Sequence, residues 1–185
     1  MKKPVEIEIK IPLESAAQGL ALLRRHEFKV IAPRIFEENL VLDDPAGSLY
    51  ANGLLLRVRR AGKTITCTSK GPESFGGPHK RRAENEFQAS DFNAIMAVFA
   101  NLGYHEAFRY EKYRTEFARA GEAGHVTLDE TPVGVYLELE GSAAWINRTA
   151  KMLGFPPEGW VTLSYGRLYK DWCEARGITP TNMKF

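Results

Sequence analysis

Long apolar runs are missing from this chain. No stretch of its 185 residues approaches the ~20 consecutive apolar residues that a membrane helix needs, so no membrane role is expected. Cysteine is scarce as well. Cys67 and Cys173 stand in unrelated segments, without the Cys/His spacing of a zinc site, so a reduced, cytosolic protein is the simplest expectation. The four histidines are scattered and read as surface or structural residues. An excess of charge of one sign is also absent: 25 Lys and Arg stand against 23 Asp and Glu. No overall basic field recruits nucleic acid, and any anion site must come from local clustering. The opening Met1-Lys2-Lys3-Pro4 runs straight into charged sequence, with no apolar signal segment, which agrees with a cytoplasmic location.

Hydrophobic residues make up 44% and charged residues 26%, an ordinary balance that supports one sizeable core. No linker divides the chain, so a single domain over residues 1–176 and an irregular or disordered tail over 177–185 are expected. Helices are expected near 14–26, from a cap at Ser90 to Leu102, from a cap at Ser142 to Leu153, and over 164–176. Asn52-Gly53 is a hairpin-type signal, and the glycine- and proline-rich stretch 71–78 reads as a loop.

The most informative feature is a strict two-residue alternation. Glu6, Glu8 and Lys10 alternate with Ile7, Ile9 and Ile11, which describes a β-strand with one ionic and one apolar face. The pattern recurs with Arg57 and Arg59; with Thr66, Thr68 and Lys70; with Lys80, Arg82, Glu84 and Glu86; with Tyr110, Lys112, Arg114 and Glu116; and with Tyr136, Glu138 and Glu140. Another strand ends in Asp129. About eight strands with a few helices describe an α+β plan on a largely antiparallel sheet.

Two arrangements fit these faces. In one, the ionic side is a solvated sheet face. In the other, helices cover the apolar faces and the ionic faces turn into a closed barrel, which at about eight strands holds one small ligand. The sorting of charge, with acidic pairs on some strands and basic pairs on others, favours the second. Lysines and arginines suit phosphate oxygens, and carboxylates without a histidine or thiol cluster suit a hard cation such as Mg2+ or Mn2+.

Glu6-Ile7-Glu8-Ile9-Lys10 resembles the E-x-E-x-K signature of the CYTH superfamily, the triphosphate tunnel metalloenzymes. Leu55–Arg59, Thr68–Pro72, Arg82–Glu86, Lys112-Tyr113-Arg114, Asp129 with Glu138–Gly141, and Ser164-Tyr165 resemble that family's later motifs, in order, over nearly the whole chain. The resemblance implies a closed eight-stranded antiparallel β-barrel, a tunnel with helices packed outside and a triphosphate inside. It implies phosphate contacts from Lys10, Arg57, Arg59, Lys70, Arg82, Lys112 and Arg114. It implies one or two divalent ions on Glu6, Glu8, Glu138 and Glu140, with Asp129, Glu84 or Glu86 assisting. Lys112, Glu84 and Tyr165 would serve the chemistry.

Hydrolysis of inorganic, thiamine or nucleoside triphosphate is placed ahead of cyclisation of ATP to cyclic AMP and pyrophosphate, because it demands no base or ribose recognition. A catalytically silent polyphosphate- or nucleotide-binding module is the further alternative. The partner is a small triphosphate-containing molecule, with a homodimer left open. Phe75, in the 71–78 loop, is a candidate for stacking on a ring at the tunnel mouth.

Overall fold

The computed structural model describes residues 5–75 and 78–185. Among these, the chain forms strands β1 (Val5–Leu13), β2 (Lys29–Asp43), β3 (Leu55–Ala61), β4 (Thr64–Lys70), β5 (Ser74–Phe75), β6 (Lys80–Ala89), β7 (His105–Ala118), β8 (His125–Thr131) and β9 (Gly134–Glu140). Helices are α1 (Ala16–Arg25), α2 (Ser48–Ala51), α3 (Phe92–Asn101), α4 (Ala143–Met152) and α5 (Tyr165–Glu174). The strands pair in the order β1-β9-β8-β7-β2-β3-β4-β6, and β6 returns to β1, so eight strands close an antiparallel barrel. The two-residue β5 hangs on β6 inside the expected loop.

Alternation decides which residues face out. Ile9, Ile11, Val126, Leu128, Leu137 and Leu139 form an outer apolar surface that α1 and α4 cover with Leu23, Trp145, Ile146, Ala150 and Leu153. Burying each such side chain is worth about 1.5–3 kcal/mol, so these helices seat firmly on the wall. Gly124 permits the closest approach: a Cβ there would lie 2.3 Å from the Trp145 ring. A second patch, Leu40, Leu42 and Val58, lies under Phe92, Ile95, Met96 and Phe99 of α3, the face expected from its spacing.

Short polar side chains cap the N-termini of α1, α3, α4 and α5. Ser15, Ser142 and Ser164 accept from the third residue beyond them. The cap of α3 is Asp91 rather than Ser90, its carboxylate accepting from Ala94 N–H. Asn52-Gly53 ends the one-turn α2 and does not make a hairpin. Gly53 takes φ 67° there, the same left-handed preference that a hairpin turn would use.

A cluster of tyrosines packs beside the lumen. Tyr110 and Tyr136 lie on the lumen-facing side of β7 and β9, and α5 lays Tyr165, Tyr169 and Leu168 against them. The tail over 177–185 has little regular structure, as expected, but it is not loose. β7 outruns its neighbour β8, and Met183 fills the exposed backbone edge: its N–H donates to Arg109 O at 2.9 Å, and Glu111 N–H donates to Met183 O at 2.9 Å. Met183 is 0% exposed. Val161 completes β1 in the same way at Lys10. Among the described residues no helix is long and apolar enough to cross a membrane.

Candidate active site

The strand register sets opposite charges face to face inside the barrel. Lys10 lies across from Glu138, Glu8 from Lys80, Glu6 from Arg82, Lys70 from Glu84, Glu37 from Lys112 and Arg114 from Asp129. Such cross-strand pairs are favourable. They enclose a cavity of about 270 Å3, lined by eight lysine or arginine side chains and seven glutamates. A near-balance of sign suits a polyanion that arrives with cations better than it suits a bare anion. A larger, mostly apolar cleft of about 590 Å3, beside Trp160 and Phe155, has Lys151 as its one charged lining residue among the described residues.

Fourteen of the fifteen expected site residues line this one cavity; the other, Asp129, is buried behind it at 0% exposure. Asp129 is fully engaged. Lys112 Nζ approaches its Oδ2 at 2.9 Å, Arg114 donates to both oxygens at 2.7 and 2.6 Å, and the Tyr165 hydroxyl donates at 2.7 Å. The Tyr165 ring also lies 5.2 Å from both Lys10 Nζ and Lys112 Nζ. Burial and the Asp129 carboxylate hold the Tyr165 hydroxyl well above the usual tyrosine range, so it stays a donor. Arg57 reaches Tyr110 and Thr68 at 3.1 Å each, while its Nε is buried without a partner. Arg82 ties Gly71 O and Gly53 O, at 2.7 and 2.8 Å, to the barrel wall. Glu86 accepts from Thr68 at 2.6 Å and lies 3.4 Å from Arg57.

The acidic wall is β1 with β9. Lys10 bridges Glu8 at 2.9 Å and Glu138 at 3.0 Å; Glu138 also contacts Arg114. Glu6 pairs with Lys70, which also lies 3.2 Å from Glu84. Among the described residues no three of His, Cys, Asp and Glu converge as an ion would require, because these carboxylates are turned to lysines. Glu140 departs from that pattern. It stands directly across from Glu8, and its carboxyl is pushed up to about 8 by burial and by the charges of Glu6, Glu138 and Glu8. Burial and Glu6 likewise push Glu84 up to about 7, against the pull of Lys70. Carboxylates crowded past what the local lysines neutralise are the donor set a hard divalent cation takes.

Three lumen residues escaped the sequence reading. Glu37 is buried among Lys112, Arg114, Arg59 and Arg57, whose charges outweigh burial and bring its carboxyl down to about 2. Asn39 is fully buried, with neither end of its amide paired. Both sit on the lumen face of a regular stretch of β2, but Glu38 between them is polar as well, so no alternation of polarity marks them. His125 lines the cavity across from Glu140; its place opposite an acidic strand was the available signal. The Phe75 side chain lies outside the described residues.

The architecture is shared with known structures. A candidate adenylate cyclase from Vibrio parahaemolyticus superposes with a TM-score of 0.76 at 19% identity, covering 91% of this chain and 99% of that one. The PH1819 protein from Pyrococcus horikoshii OT3 gives 0.75 at 20%, covering 90% and 99%. A candidate adenylyl cyclase from Hippeastrum, HpAC1, described as revealing a dominant triphosphatase activity, gives 0.65 at 17%, covering 95% and 97%. No curated protein matches the chain in sequence. The CYTH domain pattern matches residues 4–147, from the acidic strand β1 into α4. With the closed barrel and its charge-lined lumen, that match makes this chain a member of the CYTH domain family.

Proposed function

We propose that this protein binds a triphosphate group in the barrel lumen together with Mg2+ or Mn2+ and hydrolyses a phosphoanhydride bond. One observation carries the reading. Around the eight-strand ring, β9 with Glu138 and Glu140 stands four strands from β3 with Arg57 and Arg59, so acidic and basic walls face each other across the cavity. A phosphate chain lies between them, its oxygens on the basic side and its counter-cations on the acidic side. Lys10, Arg57, Arg59, Lys70, Lys112 and Arg114 hold the phosphates, and Arg82 shapes the rim. Glu6, Glu8, Glu138 and Glu140 hold the ion, with Glu86 beside them. When bound, the ion neutralises phosphate charge and lowers the pKa of a coordinated water.

The chain's own contribution is mostly positioning and charge, as is usual in phosphoryl transfer. Asp129 and Tyr165 fix Lys112 and Arg114. Glu84, pushed up to about 7, is poised to take a proton from the attacking water. Hydrolysis is favoured over cyclisation because, among the described residues, Leu55 is the one apolar side chain lining the cavity away from Tyr110 and Tyr165, which offers a purine little to stack on. Cyclisation is the reading suggested by the description of the Vibrio neighbour.

The test gives the protein tripolyphosphate, thiamine triphosphate and ATP separately, with Mg2+ or Mn2+, and identifies products by mass. Release of orthophosphate from at least one is expected. Cyclic AMP with pyrophosphate would overturn hydrolysis, and no turnover of any would leave a binding module.

Arg57→Ala is expected to weaken tripolyphosphate binding by about 1–3 kcal/mol, the scale of a charge-assisted contact, as measured by calorimetry. Unchanged affinity would remove Arg57 from the phosphate site.

A pH dependence follows from Glu140 and Glu84. Their folded pKa values lie above the ordinary 4.5, so the folded chain binds more protons than the unfolded one between about 4.5 and 8. Stability from these groups therefore falls as pH rises through that window. The metal-free protein is expected to melt at a lower temperature at pH 8.5 than at pH 6, and saturating Mn2+ to narrow the gap. A gap that Mn2+ leaves unchanged would contradict an ion on these carboxylates.

A further inference from the structure

His125 was read from sequence as an ordinary surface or structural histidine, yet it lies in the cavity. It starts β8 directly opposite Glu140 on β9, on the same face as Thr127 and Asp129, and its Nε2 lies 3.5 Å from Glu140 Oε2. Its side chain is 35% exposed, so it has room to turn. Among the described residues, Glu140 has no lysine or arginine partner: His125 is the one basic group within ion-pair distance of it. The other three carboxylates of the acidic wall are neutralised by Lys10, Lys70, Lys80 or Arg114.

An imidazole nitrogen beside a carboxylate that lacks a lysine or arginine is a potential ligand atom. Nε2 is the ring nitrogen nearest Glu140, on the wall of the cavity that Glu6, Glu8 and Glu138 also line. A divalent ion held by those carboxylates would find that nitrogen beside Glu140.

We propose that His125 Nε2 joins Glu140 as a ligand to a divalent cation of the triphosphate site and biases that site toward Mn2+ over Mg2+. The inference rests on the metal–triphosphate reading above. Its chemical basis is that Mg2+ takes nearly pure oxygen coordination, whereas transition-metal ions gain from a nitrogen donor. An all-carboxylate site would show no such bias from this residue. Among the described residues, Glu138, anchored by Lys10 and Arg114, and Glu6, anchored by Lys70, have no imidazole within ion-pair distance. The effect therefore belongs to the Glu140 side of the wall.

The experiment loads the full chain with Mn2+ and tripolyphosphate and records pulsed electron paramagnetic resonance, which detects a coordinated imidazole nitrogen directly. Mn2+ and Mg2+ affinities are then measured by calorimetry for the wild type, His125→Ala and Glu138→Ala. The half-exposed His125 makes its variant a mild perturbation, and a thermal melt checks its fold. A nitrogen coupling in the wild type that vanishes in His125→Ala is expected. In that variant Mn2+ affinity is expected to fall about tenfold, the low end of what loss of a group supporting a metal site costs, and Mg2+ affinity to fall less. Mn2+ that binds, is lost in Glu138→Ala and yet shows no nitrogen coupling would overturn the role of His125 while leaving the carboxylate site standing. Equal losses of Mn2+ and Mg2+ in His125→Ala would overturn the bias. No Mn2+ binding even with tripolyphosphate would overturn the metal reading itself, and this inference with it.

Discussion

Asp129→Ala is expected to destabilise the folded protein by about 3 kcal/mol, the low end of the about 3–5 kcal/mol seen when one partner of a buried ion pair is removed. Asp129 is wholly buried and accepts from Lys112, Arg114 and Tyr165 at once. Its removal leaves two buried cations and a buried hydroxyl short of a partner. The loss is held to the low end because Lys112 keeps Glu37 at 3.6 Å and Arg114 keeps Glu138. Activity is expected to fall with it, since two cations proposed to hold phosphate lose their anchor. Denaturant unfolding of the purified variant checks the first part. A change under about 1 kcal/mol, the size typical of a surface pair, would mean that Asp129 does not organise this cluster. Asp129→Asn keeps the shape and some of the acceptor capacity and is expected to fall between the variant and the wild type.

Glu138→Ala is expected to act the other way round, removing activity more than stability. Its two basic neighbours keep other partners: Lys10 still has Glu8 at 2.9 Å, and Arg114 still has Asp129 at 2.6 Å. The fold therefore survives. The acidic wall meanwhile loses the carboxylate that the surrounding Lys10, Arg114 and Lys112 hold well below the usual range despite its burial. Phosphate release from tripolyphosphate under saturating Mg2+ or Mn2+ is expected to drop by about 10^2–10^3, the scale for losing one preorganised electrostatic group. Wild-type turnover in a well-folded Glu138→Ala protein would sink the assignment of the ion to this wall.

Much of this site was legible in the sequence because a strand's two-residue period writes its two faces directly into the chain. Glu6, Glu8 and Lys10, Arg57 and Arg59, Lys112 and Arg114, and Glu138 and Glu140 all lie inside as their alternation implied. The closure of the barrel was less legible, because the β6–β1 pairing joins residues more than seventy positions apart and leaves no local mark. Where the alternation broke, the site residues were lost. Glu37 and Asn39 at the basic wall were hidden because Glu38 between them is polar too, although the pairing of β2 with β7 runs unbroken from Ile35 to Val41. That the tail lacks regular structure was legible, but its docking was not, because what orders it is the unpaired edge of β7 near Arg109 and Glu111, a feature of another strand's neighbour ending early. Single residues carry the least signal. His125 looked like any isolated histidine until the register set it across from Glu140.

The most direct test is a crystal structure of the protein grown with Mn2+ and tripolyphosphate, with anomalous data collected at the manganese edge. The account predicts an anomalous peak in the lumen against Glu6, Glu8, Glu138 and Glu140, with phosphate density between it and Arg57, Arg59, Lys112 and Arg114. A lumen without either, at concentrations where calorimetry shows the ligand bound, would contradict it.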